Sequence, residues 1–289
     1  MIDEMTAERN AEYDHCLGAL NDAVKPNMES LPSKVVKDER MESINHDIWA
    51  NRKYPVLYRY VPLNTYALSS ILHEDVYMLP ASKMNDVFEA AAYGINATSQ
   101  KTQKANDKAQ QELYLKAFSF EENNNLMWSH YADEHRGICI EYNFNYAPAE
   151  VTQHLYPVQY SNKRFTFQNP DSLKPHPFLL LRKGKDWKYE KEFRLIYQRD
   201  KQKDKLSEKD FVVKLNCITK IIFGLRTKQS DMDLVKSVLC AKRCLPCNNP
   251  NKEISLAKIQ QVGNTFELEA QPIEGLSKCP YCANSTSAQ

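Results

Sequence analysis

The chain has 289 residues, enough for two domains of ordinary size or one enlarged domain with appendages. Hydrophobic residues make up 42% and charged residues 26%, so a core can form, and 38 Lys and Arg against 37 Asp and Glu leave no net basic field to draw nucleic acid. The seven glycines are so spread that no two lie within eleven positions of each other, which excludes the glycine-rich loops of ordinary dinucleotide and phosphate binding.

Residues 1–50 read as polar helix. Leu17, Leu20 and Val24 give a weak stripe, then Pro26 and Pro32 break it, so a loosely attached N-terminal arm is expected. Met1 to Glu12 carries acidic residues and no apolar stretch, and no signal peptide is expected. Apolar runs such as Phe178 to Leu181 and Ile221 to Phe223 fall far short of the ~20 residues of a membrane span. Eight cysteines without an export signal predict reduced thiols in a cytoplasm.

Val56 to Tyr60 is rich in strand formers. Asn64 can cap a helix through Leu72, and Asp75 to Leu79 reads as a second strand ended by Pro80. A polar turn from Ala81 to Glu89 leads toward a helix, and residues 97–112 read as solvated helix or loop. Leu115 to Phe120 is a strand. Leu126 to Arg136 is a short helix with Trp128, Tyr131, Ala132 and His135 on one face, closed by Gly137. Ile138 to Asn143 alternates as a strand does. Trp187 to Gln198 is the clearest strand: Trp187, Tyr189, Phe193, Leu195 and Tyr197 share one face, and Glu190, Glu192 and Arg194 the other. Ile218 to Phe223, a helix at 230–243 and two closing strands at Ile254 to Val262 and Thr265 to Pro272 complete the chain. Strands that follow one another directly predict an α+β fold, a mixed and largely antiparallel split sheet flanked by helices. The expected organisation is a helical extension over 1–50, a main domain over 55–273 and a C-terminal element over 240–289.

Several blocks together carry a resemblance. They are Leu57-Tyr58-Arg59-Tyr60, Ser82 to Glu89 with its Asn-Asp pair, Met127-Trp128-Ser129-His130-Tyr131-Ala132, Gly137-Ile138-Cys139-Ile140 and Trp187-x-Tyr-Glu-x-Glu-Phe-Arg. In this order they resemble a bacterial family of unknown function, domain-of-unknown-function number two-nine-seven-one, over about residues 55–273. Val87 stands where that family usually shows proline. The resemblance implies organisation, not a reaction.

The Glu190/Glu192 pair is the most informative chemical feature. On one strand the two would lie ~6.6 Å apart on the same face, with Arg194 continuing the row. Such a row is either the solvent side of an antiparallel strand, with Arg194 pairing Glu192, or two carboxylates at a cleft. The second arrangement is similar to the Glu-x-Glu strand of ADP-ribosyltransferases, which bind NAD without a glycine-rich loop. The similarity implies Glu192 and Glu190 as catalytic carboxylates, with His130 and Tyr131 beside them. Arg59 would hold a phosphate, Ser119 or the His130/Tyr131 pair would stand in the middle of the order, and Tyr131 or Trp128 would stack on a ring. Arg194, Asn85 and Asp86 complete the expected binding set. NAD would be the substrate, and a protein or nucleic acid the acceptor, in a toxin or antiphage effector.

Other chemistry competes. Asn85, Asp86 and Glu89 with Glu190 and Glu192 would suit Mg²⁺-dependent phosphodiester cleavage, though Asn85 or Asp86 equally caps a helix. His130 and Glu134, four apart on a helix, would let a carboxylate orient the imidazole. A basic stretch from Arg182 to Lys205 reads as a solvated hairpin end or as a guide for a phosphate-bearing ligand. Cys244-x-x-Cys247 and Cys279-x-x-Cys282 suit a structural zinc with all four positions filled, and Cys240 could substitute. A noncatalytic sensor or interaction module is the third class. It predicts both glutamates facing solvent, whereas the nuclease predicts Asp86 within shared-metal distance of Glu190 or Glu192.

Overall fold

The computed structural model describes residues 2–24, 39–50, 52–94, 99–167, 177–199, 211–243 and 253–274. The fold is α+β with a mainly antiparallel, open sheet arrangement, as the order of elements predicts. The main strands are β1 (Val56–Val61), β2 (Leu113–Ser119), β3 (Ile138–Asn143), β4 (Leu155–Pro157), β5 (Glu192–Gln198), β6 (Ile218–Phe223), β7 (Ser255–Gln261) and β8 (Leu268–Pro272). The main helices are α1 (Ile2–Val24), α2 (Glu39–Trp49), α3 (Thr65–His73), α4 (Ser99–Glu112), α5 (Asn125–Tyr131) and α6 (Gln229–Arg243). Two units divide them: Met1–Tyr54, Tyr77–Phe120 and Pro148–Val213 form the first, and Pro55–Val76, Glu121–Ala147 and Lys214–Gln289 the second.

In the first unit β5 is the middle strand, antiparallel to β2 on one side and β4 on the other. Glu192 faces Ser119 in register, and Phe193 lies between Phe118 and Pro157. Residues Glu192 to Ile196 are all buried, so both faces of β5 are covered. The apolar face packs under the N-terminal helices. Tyr13 lies 5.6 Å from Phe120 and 5.9 Å from Phe193 between ring centroids, and Trp49 lies 6.2 Å from Phe193. This corrects the expectation of a loose arm. Tyr13, Cys16 and Leu20 are buried and share one helical face at i, i+3 and i+7, a stripe the apolar count had passed over because it contains a tyrosine and a cysteine. In α2, Ile44, Ile48 and Trp49 are buried too, and the Trp49 indole donates to the Leu155 carbonyl (3.0 Å).

In the second unit the strand order is β8-β7-β6-β3-β1. All neighbours are antiparallel except β6 and β7. β-Branched and aromatic residues make the inner strands, and Ile138, Cys139, Ile140 and Tyr142 are all fully buried. Gly137 enters β3 and Gly224 leaves β6 where two backbones nearly touch. A Cβ on Gly137 would lie 2.3 Å from the Val61 carbonyl oxygen, and one on Gly224 2.2 Å from that of His135. Among the described residues no helix is long and apolar enough to cross a membrane.

Candidate functional site

The Glu190/Glu192 pair does not sit on one strand. Residues Lys185–Glu190 wind as a 3₁₀ helix, and Lys191 takes a left-handed conformation (φ 40°) before β5 begins at Glu192. The alternation from Trp187 to Gln198 had the period of a strand, but half of it is a turn whose period is three. The two carboxyls are nevertheless joined by a third residue. Lys183 Nζ donates to Glu190 Oε2 (2.5 Å) and to Glu192 Oε2 (3.2 Å). Both glutamates are buried, Glu190 at 4% and Glu192 at 3% exposure. The solvent-facing reading of the row is thereby overturned, although its pairing of Arg194 with Glu192 is correct.

Arg194 is completely enclosed. Its Nε donates to Glu192 Oε1 (2.7 Å) and its Nη2 to Glu192 Oε2 (3.0 Å). The other edge grips Glu89: Nη1 to Oε1 (2.6 Å) and Nη2 to Oε2 (2.8 Å). Nη1 also donates to the Leu180 carbonyl (2.6 Å). A guanidinium has five N–H groups, and all five are engaged. Arg194 is therefore not a hand for a ligand phosphate, which corrects its place in the expected binding set. Among the described residues the directly bonded group contains three carboxyls, Glu89, Glu190 and Glu192, and two cations, Lys183 and Arg194.

The carboxyls are tuned apart. Burial pushes Glu192 up, but Arg194 and Lys183 outweigh it and hold the carboxyl down at about 2. Burial also pushes Glu89 up, and there the Arg194 charge does not overcome it, with Glu192 adding to the rise. Burial opposes the Lys183 charge, and the two glutamates more than restore it. The Trp187 ring, half-buried, lies with its centroid 4.6 Å from Lys183 Nζ. A cavity of about 310 Å³ elsewhere in this unit is lined by Trp49, Tyr54 and Glu42 among others, and by none of these five residues.

Ser119 positions the turn instead of meeting a nucleotide. Its hydroxyl is buried and donates to the Glu190 carbonyl (2.7 Å). Asp86 caps the turn before Glu89, with its Oδ1 accepting from the Phe88 amide (2.9 Å). Asn85 is exposed beside it. The basic stretch is largely absorbed: Lys183 enters the charged group, Arg182 lies over Phe165 (3.9 Å) and Arg199 packs on Tyr114 and Phe211 (5.3 and 5.2 Å). Lys185 and Lys188 are exposed, and Lys201 to Lys205 lie outside the described residues.

The remaining candidates belong to the second unit. Arg59 is half-buried on β1, where burial lowers the proton affinity of its guanidinium and the Tyr142 hydroxyl opposes that. Trp128 is fully buried, donates to the Glu122 carbonyl (3.1 Å) and stands edge-on to Tyr60 at 5.1 Å, so it is core and not a platform for a ligand ring. His130 is exposed, with its ring edge-on to the half-buried Tyr131 at 6.3 Å. The helix expected to reach Arg136 ends at Tyr131. Glu134 therefore does not orient His130, and it pairs with Arg136 at 2.9 Å. Sequence reading grouped Glu89 with Glu190 and Glu192 as metal ligands and Lys183 with a basic stretch, but joined neither to Arg194. It gave Ser129 and His135 no chemical role, although they lie in the Trp-Ser-His-Tyr-Ala block and just beyond it.

Cys244, Cys247, Cys279 and Cys282 lie outside the described residues. Cys240, on α6, is disulfide-bonded, and a sulfur so bonded is no thiolate ligand. Among the described residues no group of three or more His, Cys, Asp and Glu side chains is placed to hold a metal ion.

Residues 127–195 match the model of a family described as protein of unknown function (DUF2971). The family resemblance is borne out over that span, which runs from the Trp-Ser-His-Tyr-Ala block to Leu195 and is narrower than the resemblance read from the sequence. Searches of curated proteins and of solved structures returned no match.

Proposed function

We propose that the protein is an NAD-consuming enzyme, an ADP-ribosyltransferase-like transferase or NAD glycohydrolase, whose reaction centre is the charged group around Glu192. One observation carries this reading: a buried carboxylate, Glu192, held between two cations, Arg194 and Lys183. When nicotinamide leaves, positive charge grows on the ribose carbon, and fixed negative charge away from water stabilises it. Glu192, held ionised by Arg194 and Lys183, supplies that charge. Glu190 is its partner for orienting or deprotonating the attacking group. Trp187, not Trp128, offers a ring face next to the centre.

Against a metal-dependent nuclease, the carboxyls that a metal would need are already bonded to Arg194 and Lys183. A noncatalytic module had predicted the two glutamates in solvent, and they are buried.

Incubating the purified chain with NAD and reading free nicotinamide tests the proposal. Release is expected, and its loss in Glu192→Gln with the fold retained. No release, or release indifferent to that substitution, rejects it. With the Cys240 disulfide reduced, the two Cys-x-x-Cys pairs are proposed, on spacing alone, to hold structural zinc. About one equivalent of zinc in protein purified in reductant without added metal supports this, and none overturns it.

A further inference from the structure

The turn after α5 joins two side chains that the proposed reaction does not use. Asp133, Glu134 and His135 follow one another in the left-handed region, with φ of 48°, 51° and 70°. None is glycine, and L side chains rarely adopt this conformation three times running. The turn is braced from outside. The His135 carbonyl accepts from the Arg226 amide (2.9 Å), and the Gly137 carbonyl accepts from the Gly224 amide (3.0 Å) and the Thr227 hydroxyl (2.8 Å).

The consequence is geometric. On a continued helix His135 would lie about 240° around the axis from Ser129 and roughly 9 Å along it. The turn instead brings His135 Nε2 to 3.2 Å from Ser129 Oγ and stacks the imidazole on Trp128, with centroids 6.2 Å apart and planes 16° apart. Both side chains are half-buried, so a ligand can reach them. His135 Nδ1 is buried with no hydrogen-bond partner among the described residues, whereas a histidine kept for structure usually satisfies both nitrogens. Burial and the Arg226 charge lower its pKa below the ordinary 6.5, so the ring is neutral at neutral pH and can accept a proton. The charged groups around it are Arg226, on the loop after β6, and Asp133, Glu134 and Arg136 of its own turn.

We infer that Ser129 and His135 form a nucleophile–base pair that attacks an activated acyl ester or its phosphonyl counterpart. At rest the Ser129 hydroxyl donates to the Asn125 carbonyl (2.9 Å); for reaction the O–H turns to His135 Nε2, the neutral ring then carrying its own proton on Nδ1. The Oγ–carbon bond forms as the ester C–O bond breaks. The Oγ proton passes to Nε2 and then to the departing alkoxide. Water attacks the acyl-serine by the same path, giving the acid and restoring the hydroxyl. This activity is independent of the NAD consumption proposed for the first unit.

The full-length protein is treated with an alkyl fluorophosphonate and the labelled residue is located by mass spectrometry. Label is expected on Ser129, absent in Ser129→Ala and about a hundredfold slower in His135→Asn. Asparagine tolerates left-handed backbone, and an unchanged melting temperature separates lost reactivity from lost fold. The wild-type labelling rate is expected to titrate with a midpoint below pH 6.5, and where His135→Asn does not fold, this profile decides alone. Absence of label on Ser129, undiminished labelling in a folded His135→Asn, or a rate without that inflection overturns the inference.

Discussion

Arg194 holds two carboxyls and a carbonyl in fixed positions, and every hydrogen bond it can donate is made inside the protein. The alternation of Glu192 and Arg194 was legible because strand neighbours two apart share a face. Glu89 was grouped with the two glutamates as a metal ligand, but its pairing with Arg194, from 105 positions away, was not legible. Lys183 was visible only as one of a row of basic residues, with nothing local to mark it as the buried one. The opposite tuning of Glu192 and Glu89 gives opposite pH behaviour. Glu192, depressed from 4.5 to about 2, contributes stability that is present above 4.5 and lost as pH falls through about 2. The wild type's lead in melting temperature over Glu192→Gln should therefore shrink from pH 7 to pH 3. Glu89 is raised, so its ionised form costs stability as pH rises through its folded pKa. The melting temperature of Glu89→Gln relative to wild type should accordingly be more favourable at pH 8 than at pH 5.

At the scale of elements, the strands of the inner sheets were readable from β-branched and aromatic runs, and the turns between them were not. Lys191 and His135 sit in left-handed backbone without the glycine or asparagine that would signal it. A strand expectation and a helix expectation both ran on through such residues, because the hydrophobic period continued where the backbone did not. The glycines separate the two ways a small residue is used. Gly137 is required by close approach, and Gly137→Ala should cost about 1–3 kcal/mol by overpacking. Gly18, in α1, has nothing within 4 Å of an added Cβ, and Gly18→Ala should stabilise by about 0.5–1 kcal/mol. Urea denaturation of the two variants checks the opposite signs.

For the molecule as a whole, composition and element order gave the α+β class, because they depend on the pattern of the entire chain. What lay inward did not follow from them. An N-terminal region dominated by polar residues looked dispensable, yet it lays Tyr13 and Trp49 on Phe120 and Phe193. Uncovering those rings forfeits about 1.5–3 kcal/mol each. A chain starting at residue 55 should therefore be largely insoluble or lose its melting transition by circular dichroism, whereas a dispensable arm would leave the transition in place. The first unit buries Glu190 and Glu192 on one lysine, and Glu190→Gln removes one carboxylate charge while keeping its shape. Nicotinamide release from NAD, measured for wild type and Glu190→Gln side by side, tests the proposed NAD consumption most directly. Release by the wild type and a fall of about a hundredfold or more in the variant, at a similar melting temperature, is the expected result; equal release by the two proteins would contradict it.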